Sequence, residues 1–163
     1  MATNTAVVNP VPTATIGVNH VCQGTSSSFT STTTNANTYN WNFGGAGVGT
    51  NTTTGNPGYT YASAGTFPVT VTVTATGGCT VTAATTATVD AMPVLSFTTT
   101  PACDLSAVCF TNNTASQGTF TVWAWNYGDG IGNSTSANPP CYTYPAAGIY
   151  TVTLTATTAT GCS

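Results

Sequence analysis

The side chains of this sequence that could carry acid–base chemistry near neutral pH are few: one histidine, His20, and three aspartates, Asp90, Asp104 and Asp129. General acid–base catalysis needs a titratable group within hydrogen-bond reach of the reacting atom, and sugar hydrolysis needs a pair of carboxylates. The aspartates lie in separate parts of the sequence, and no nucleophile elbow, phosphate loop or metal-binding motif accompanies them. We therefore predict that the protein is not an enzyme.

Six cysteines are the second chemical feature of the sequence. No lysine or arginine is present to lower the pKa of a thiol, and no two cysteines have the CxxC spacing of redox or zinc sites. Such cysteines are typical of structural disulfides that form in an oxidising compartment. The sequence therefore predicts an extracellular protein, either secreted or displayed at a cell surface.

The charge composition excludes two classes of partner. The chain has no lysine or arginine and a net charge of −3, whereas nucleic acids and anionic membrane surfaces are bound mainly by basic side chains. The sequence also has no run of about 20 apolar residues that could span a bilayer, and it does not start with a signal peptide. We expect no nucleic-acid partner and no membrane insertion, and we expect the chain to be a mature or excised segment of a longer precursor.

Alternating apolar and threonine residues indicate the elements that must position these groups. Segments 67–75 and 150–158 alternate with a period of two, the pattern of a strand with one buried face. Clusters of Gly, Asn and Pro at 55–58 and 138–140 predict turns between strands. Helical periodicity is absent from the sequence. We therefore predict an all-β fold in which sheets pack on sheets.

An internal repeat divides the sequence into two similar halves. Residues 59–79 align without a gap with residues 142–162, and Cys22 and its downstream Phe29 align with Cys103 and Phe110. Each half also carries a Trp-Asn-aromatic-Gly run upstream of the longer match. Repeats of this kind are the signature of tandem domains.

The second half carries a motif specific enough to name a family. Residues 125–130 are Trp-Asn-Tyr-Gly-Asp-Gly, and they precede an Asn-Pro at 138–139, a Tyr-Thr-Tyr at 142–144 and a Thr-rich strand at 150–155; the first half has a looser Trp-Asn-Phe-Gly motif at 41–47. This pattern resembles that of PKD (polycystic kidney disease) domains over nearly the whole chain. The resemblance implies two tandem immunoglobulin-like β-sandwiches of seven strands each, in an extracellular protein where they act as spacers, adhesive or interaction modules.

On this basis we place the first sandwich at residues 10–90 and the second at residues 91–163. Residues 1–9 form an additional N-terminal strand.

Tryptophans mark the expected cores. Trp41 and Trp125 fall in the most hydrophobic strand of each half, and we predict that they fill the space between the sheets. Trp123 lies two residues before Trp125 and so on the same face of a regular strand. Because two tryptophans on one inner face would be crowded, the alternatives are a bulge in the strand or an exposed Trp123. An exposed Trp123 could stack on a sugar ring, which makes a glycan a candidate partner.

The symmetry of the repeat favours one set of disulfides: Cys22–Cys79, Cys103–Cys162 and Cys109–Cys141. Six cysteines allow many other connectivities. A zinc site formed by Cys109, Cys141 and His20 is an alternative, although His20 belongs to the other half of the repeat.

Calcium is a second metal ion that the sequence allows us to consider. Asp129, in a Gly-Asp-Gly turn, and Asp90 are the candidate oxygen ligands of a weak site. The alternative role of Asp129 is to accept hydrogen bonds from the backbone of its own turn. Three glycosylation sequons begin at Asn51, Asn112 and Asn133.

The ends of the sequence carry the most specific prediction. The first half continues beyond Cys79 into the strand pattern of residues 80–90, whereas the second half ends at Ser163, so we expect the second sandwich to lack its last strand. Residues 2–9 match residues 83–90, and an incomplete sheet edge is a template for an added strand. We therefore predict an assembly strand that completes the second sandwich of the preceding copy, formed by Ala2, Thr3, Asn4, Thr5, Ala6, Val7, Val8 and Asn9. The alternatives are that this strand folds back within its own chain or that the second half is truncated.

Two functions follow from these expectations. The first is a structural subunit of an extracellular filament or surface assembly, whose copies join head to tail through this strand or follow one another as repeats of a longer chain. The second is an adhesive or carbohydrate-binding spacer of a larger secreted or cell-surface protein.

Overall fold

The computed structural model describes residues 1, 3–45, 55–103, 105–115 and 119–163. These residues form strands and loops without a helix, and they divide into two compact units, Met1–Asp90 and Ala91–Ser163. The predicted all-β fold is therefore confirmed. Among the described residues, no helix is long and apolar enough to span a membrane.

The first unit packs two sheets, with strand orders β1-β3-β5 and β2-β7-β6-β4. All its strand pairs are antiparallel except β2 with β7. Its strands are β1 (Thr13–Val18), β2 (Val21–Cys22), β3 (Ser26–Thr34), β4 (Thr38–Asn42), β5 (Gly58–Thr60), β6 (Gly65–Thr74) and β7 (Thr80–Asp90).

Alternation along β6 builds the core of the first unit. Val69, Val71 and Val73 are fully buried, and the intervening threonines point to the other face of the sheet. Phe29 from the facing sheet and Trp41 from β4 pack on these valines with their ring centroids 5.8 Å apart. The strand pattern of the sequence thus produces a continuous apolar layer between the sheets.

The strands of the second unit form three small sheets. Its sheets have the orders β10-β8, β13-β9 and β12-β11-β14. Its strands are β8 (Phe97–Thr99), β9 (Ala107–Val108), β10 (Phe110–Asn112), β11 (Phe120–Asn126), β12 (Asn133–Ser134), β13 (Tyr142–Thr143) and β14 (Thr153–Thr158).

The two units differ at one sheet edge. In the first unit, β6 is paired on one side with β4 and on the other with β7, from Gly65 opposite Val89 to Thr74 opposite Thr80. In the second unit, β14 pairs with β11, and no strand of the described chain pairs with its other edge. The second unit therefore presents an open edge where the first unit has β7.

The open edge weakens both the strand and the core beside it. By the repeat alignment β14 could begin at Gly148, the equivalent of Gly65, yet it begins only at Thr153. Val152 is half-buried, whereas its equivalent Val69 is fully buried. The core under β14 is therefore incompletely covered.

Two matched substitutions test whether the core is less completely buried in the second unit than in the first. We expect Val69→Ala to lower the free energy of unfolding of the first unit by about 2 kcal/mol, because two buried methyl groups are lost and a cavity remains. Val152→Ala should lower that of the second unit by much less. Urea denaturation followed by hydrogen exchange at the amides of β6 and β14 measures each unit separately, and equal losses would contradict the open edge.

Candidate assembly site

A cavity of about 370 Å³ lies in the second unit, on the N-terminal side of β14. Its walls include Gly148, Tyr150 and Val152 on the segment that leads into β14, and Ala102 and Cys103 on the loop before β9. Most of these residues are small or apolar. The cavity can therefore take small apolar side chains together with a length of backbone.

The equivalent space in the first unit is filled by β7. Ala87 and Val89 of that strand are 0% and 3% exposed. Val89 lies opposite Gly65 of β6 on one side, and opposite Val21 of β2 on the other. Ala87 lies opposite Phe67. Two inward side chains of β7 thus close the first sandwich at this end.

The repeat alignment shows that the residues lining the cavity are equivalent to the residues that surround the end of β7 in the first unit. Gly148 and Tyr150 are the equivalents of Gly65 and Phe67, and Ala102 precedes Cys103 as Val21 precedes Cys22. The residues that enclose Ala87 and Val89 in the first unit therefore correspond to residues that line the cavity in the second. By the repeat alignment, the cavity corresponds to the space that Ala87 and Val89 of β7 fill in the first unit.

The predicted assembly strand is exposed and unpaired in this structure. Residues 3–9 are exposed and form no strand, and the side chains of Val7 and Val8 are 80% and 92% exposed. Ala2 lies outside the described residues. In the alignment with β7, Ala6 and Val8 take the places of the buried Ala87 and Val89. The segment therefore carries inward residues of the type that fills this space in the first unit.

Residues 3–9 contact the rest of the first unit through Asn9. The Asn9 side-chain amide donates to the carbonyl of Gly77 at 3.5 Å, and the Cys79 thiol lies 3.8 Å from the carbonyl oxygen of Asn9. A Cβ atom at Gly77 would collide with the Asn9 side chain, so this approach requires glycine. The segment thus leaves the unit at a defined point beside Cys79.

One disulfide is formed within the second unit. Cys109 and Cys141 are bonded, with their Cα atoms 4.1 Å apart, and this bond ties the loop between β9 and β10 to the residue before β13. Because both sulfurs are oxidised, the alternative zinc site with His20 is wrong. His20 instead pairs with Asp90, with 2.7 Å between Nε2 and Oδ2.

The two disulfides predicted from repeat symmetry, Cys22–Cys79 and Cys103–Cys162, are wrong. Cys79 and Cys103 are free thiols, whereas Cys22 and Cys162 are disulfide-bonded. The reason in the first unit is the length of β7, because Cys22 pairs with Asp90 at one end of this strand and Cys79 directly precedes the other. Eleven extended residues span about 35 Å, and a disulfide requires Cα atoms within about 7 Å.

The same separation holds in the second unit. Cys103 lies in the cavity wall with Gly148, before β14 begins, whereas Cys162 follows the end of β14 and donates its N–H to Thr158. One cysteine of each repeat, Cys22 or Cys103, therefore lies near the N-terminal end of β6 or β14. The other, Cys79 or Cys162, follows the C-terminal end of the same strand.

The predicted core tryptophans lie in the centres of the units. Trp41 is fully buried, and Trp125 is 2% exposed and donates its indole N–H to the carbonyl of Ser136 at 2.9 Å. Trp123 lies on the same face of β11 as Trp125 but is half-buried, and its ring is 4.7 Å from that of Phe120. The pairing of β11 with β14 shifts register between Phe120 and Val122, so a bulge interrupts the strand just before Trp123.

Sequence analysis did not predict that a column of aromatic rings runs through each unit. Successive ring centroids are 4.0 to 5.1 Å apart. The columns are Phe29-Phe43-Tyr59-Tyr61-Phe67 and Phe110-Tyr127-Tyr142-Tyr144-Tyr150. The signal was present in the alignment, where every ring has an aromatic equivalent. The second column ends at Tyr150, and so it holds one wall of the cavity in place.

Asp129 organises the turn after β11. Its Oδ1 accepts the backbone N–H groups of Ile131 and Gly132 at 3.0 and 2.7 Å, and its Oδ2 accepts the hydroxyl of Tyr142 at 2.5 Å. The Tyr142 hydrogen bond, followed by those from the backbone, lowers the pKa of Asp129. The same bond raises the pKa of Tyr142 to about 12.

The structure describes some of the residues that were predicted to bind calcium or to carry a glycan. No group of three metal-ligating side chains occurs among the described residues, and calcium at Asp129 and Asp90 stays a prediction. Asn133 is exposed, whereas the Asn112 amide donates to the carbonyl of Ala137 at 2.8 Å. Asn51 and Asp104 lie outside the described residues, and glycosylation likewise stays a prediction.

These features define a class of protein: tandem immunoglobulin-like β-sandwich modules. The family model described as the PKD domain matches residues 7–89 and again residues 90–163, so the chain belongs to the PKD domain family. Sandwiches of this type are typically non-catalytic. The family and the disulfide bonding are consistent with an extracellular location.

Solved structures with similar folds include the PKD1 domain of Vibrio anguillarum Epp, with 26% identity over 52% of this chain and 99% of that chain, and a TM-score of 0.45. Fibronectin(III)-like modules of Clostridium thermocellum CbhA match with 14% identity over 90% and 87% of the chains, and a TM-score of 0.44. Carbohydrate-binding modules from the β-sandwich superfamily match with 15% identity over 93% and 86%, and a TM-score of 0.46. No curated protein matches the chain.

The Asp129–Tyr142 pair predicts a pH dependence of stability. Because the pKa of Asp129 is lower in the folded unit than in the unfolded chain, its stabilisation is present above the unfolded value of 3.8 and is lost as the pH falls through the folded value. Tyr142→Phe keeps the ring stacked on Tyr127 but removes the hydroxyl. We expect a lower melting temperature than that of the parent at pH 7, and a difference from the parent that narrows under strongly acidic conditions.

The measurements are thermal unfolding across the pH range and an NMR titration of Asp129. In the variant, the pKa of Asp129 should rise toward 3.8. An unchanged pKa of Asp129 would show that the Tyr142 hydroxyl does not hold the carboxylate.

Proposed function

We propose that this protein is a structural repeat of an extracellular filament or surface assembly, in which residues 2–9 of one copy complete the second unit of the preceding copy. The observation that carries the proposal is the cavity beside β14, whose walls correspond to the walls around Ala87 and Val89 in the first unit. A following repeat in a longer chain would supply the same strand to the same place.

The chemistry of the two surfaces supports this proposal. An added strand would pair with the free N–H and C=O groups along β14 and extend that strand toward Gly148, as β7 does along β6 in the first unit. Ala6 and Val8 would enter the cavity, and burying the exposed Val8 side chain alone contributes about 2 kcal/mol. Main-chain pairing and apolar burial therefore act at the same place.

Geometry favours an open polymer over a closed dimer. The donor segment belongs to the first unit and the acceptor cavity to the second, so every copy carries one of each. A contact between two different surfaces of identical subunits can continue without limit. The chain has a net charge of −3 and no lysine or arginine, so repulsion between neighbouring copies is small and assembly depends little on salt.

A matched pair of substitutions in the donor strand tests the proposal. Val8→Asp would place a carboxylate in the cavity, and we expect it to abolish polymers. Val7→Asp introduces the same charge at the position aligned with the exposed Thr88, and polymers should persist. Electron microscopy of the purified protein provides the measurement, with a variant lacking residues 1–9 as the second loss-of-assembly sample.

The pattern of outcomes is specific to strand complementation. Polymers that survive both Val8→Asp and the deletion would refute it. Discrete two-unit particles in the parent protein under all conditions would refute the assembly itself.

A glycan-binding spacer is the second candidate function, and the half-buried ring pair of Phe120 and Trp123 is the observation that favours it. Aromatic rings of this kind stack on the apolar faces of sugars. We expect binding on a glycan array to fall at least tenfold in Trp123→Ala if this function holds, with Trp123→Phe retaining part of it. An absence of binding by the parent protein would remove this candidate.

A further inference from the structure

We propose that successive copies are joined covalently by a disulfide between Cys103 of one copy and Cys79 of the next. This inference rests on the proposed function, because it takes the strand of residues 2–9 as the donor in the joint. It adds a bond that strand complementation alone does not require. The argument uses the strand register, the attachment of the donor strand and the state of each cysteine.

Strand register places the donor residue Asn9 beside Cys103. In the first unit, Cys22 pairs in parallel with Asp90, the last residue of β7. Cys103 is the repeat equivalent of Cys22, and Asn9 is the equivalent of Asp90. A donor strand that seats Val8 as Val89 is seated therefore brings Asn9 opposite Cys103, at the spacing of about 4.8 Å between neighbouring strands.

The same donor residue already contacts Cys79. In the first unit, the Cys79 sulfur lies 3.8 Å from the carbonyl oxygen of Asn9, whose side chain packs on Gly77. A donor strand anchored in this way carries its own Cys79 into the joint. One residue, Asn9, thus lies next to both sulfurs, and a disulfide needs Cα atoms within about 7 Å.

Cys79 and Cys103 are available to bond with each other because the other four cysteines are already in disulfides. Cys79 is partly exposed and Cys103 is exposed, and both are free. Their repeat equivalents, Cys162 and Cys22, are disulfide-bonded. The two positions of the repeat are therefore used for disulfides elsewhere in the chain, and the free thiols are one from each unit.

Bond formation needs an oxidant, and a small-molecule disulfide such as oxidised glutathione balances the reaction. The Cys79 thiolate attacks that disulfide, which forms a mixed disulfide and releases one glutathione thiolate. The Cys103 thiolate of the preceding copy then attacks the Cys79 sulfur and releases the second. Two protein thiols become one disulfide, and the two electrons and two protons leave in two molecules of reduced glutathione.

The test uses the protein of residues 1–163 and two single variants of it, Cys79→Ser and Cys103→Ser. Each is incubated with oxidised glutathione and analysed by SDS gel electrophoresis without reductant. The parent protein should give a ladder of multimers that collapses to monomer on reduction. Each variant alone should run as monomer. An equimolar mixture of the two variants should give a dimer band and no higher species, because each copy then supplies one partner of a single bond.

Controls separate this disulfide from the assembly on which it rests. Val8→Asp retains both thiols but should lose the ladder, whereas Val7→Asp should keep it. Mass spectrometry of the dimer band after chymotryptic or peptic digestion should identify a peptide that joins Cys79 to Cys103, since the chain has no trypsin sites.

Each outcome decides one of the two proposals. Polymers seen by microscopy that dissolve to monomers in detergent without reductant would overturn the disulfide and leave the proposed function standing. Covalent dimers formed by either variant alone would overturn the Cys79–Cys103 pairing. An absence of both polymers and covalent species in the parent protein would overturn the strand exchange itself.

Discussion

Backbone pairing along one edge of β6, and of its equivalent β14, is the constraint on which the rest of the structure depends. In the first unit, β7 satisfies the N–H and C=O groups of β6 and places Ala87 and Val89 over the core. In the second unit, the matching edge of β14 has no strand partner among the described residues. The late start of β14, the half-buried Val152 and the cavity beside Cys103 are all local consequences of that one difference.

The sequence was sufficient to predict the strands and the core tryptophans because both depend on local pattern. Period-two alternation places Val69, Val71 and Val73 on one face whatever lies opposite them. The disulfides could not be predicted in this way. Alignment shows that Cys22 and Cys79 recur at equivalent positions, but only the extended length of β7 shows that they lie at opposite ends of the unit. The aromatic columns were missed for a related reason, since their rings come from different sheets.

The polar interactions in this chain are mostly short-range hydrogen bonds, because lysine and arginine are absent. Asp129 is held by two backbone N–H groups and the Tyr142 hydroxyl, and hydroxyl pairs such as Thr13 with Thr34 link neighbouring strands at 2.7 Å. These contacts stabilise turns and strand pairs but give little long-range electrostatic force. In the proposed assembly, attraction between copies would therefore come from main-chain pairing and apolar burial, for which the edge of β14 and the exposed valines are suited.

A strand added to a sheet edge must also enter in one register, because a slip of one residue turns every side chain to the opposite face. The donor segment contains adjacent valines, Val7 and Val8, so its apolar pattern alone leaves two registers open. Attachment at Asn9 distinguishes them. Asn9 is held against Gly77 and Cys79 of its own unit. If the proposed joint places it opposite Cys103 of the preceding copy, Val8 would face the cavity and Val7 would face solvent. A disulfide between these cysteines would then fix the register that the apolar pattern leaves ambiguous, which gives the covalent bond a role in specificity as well as in strength.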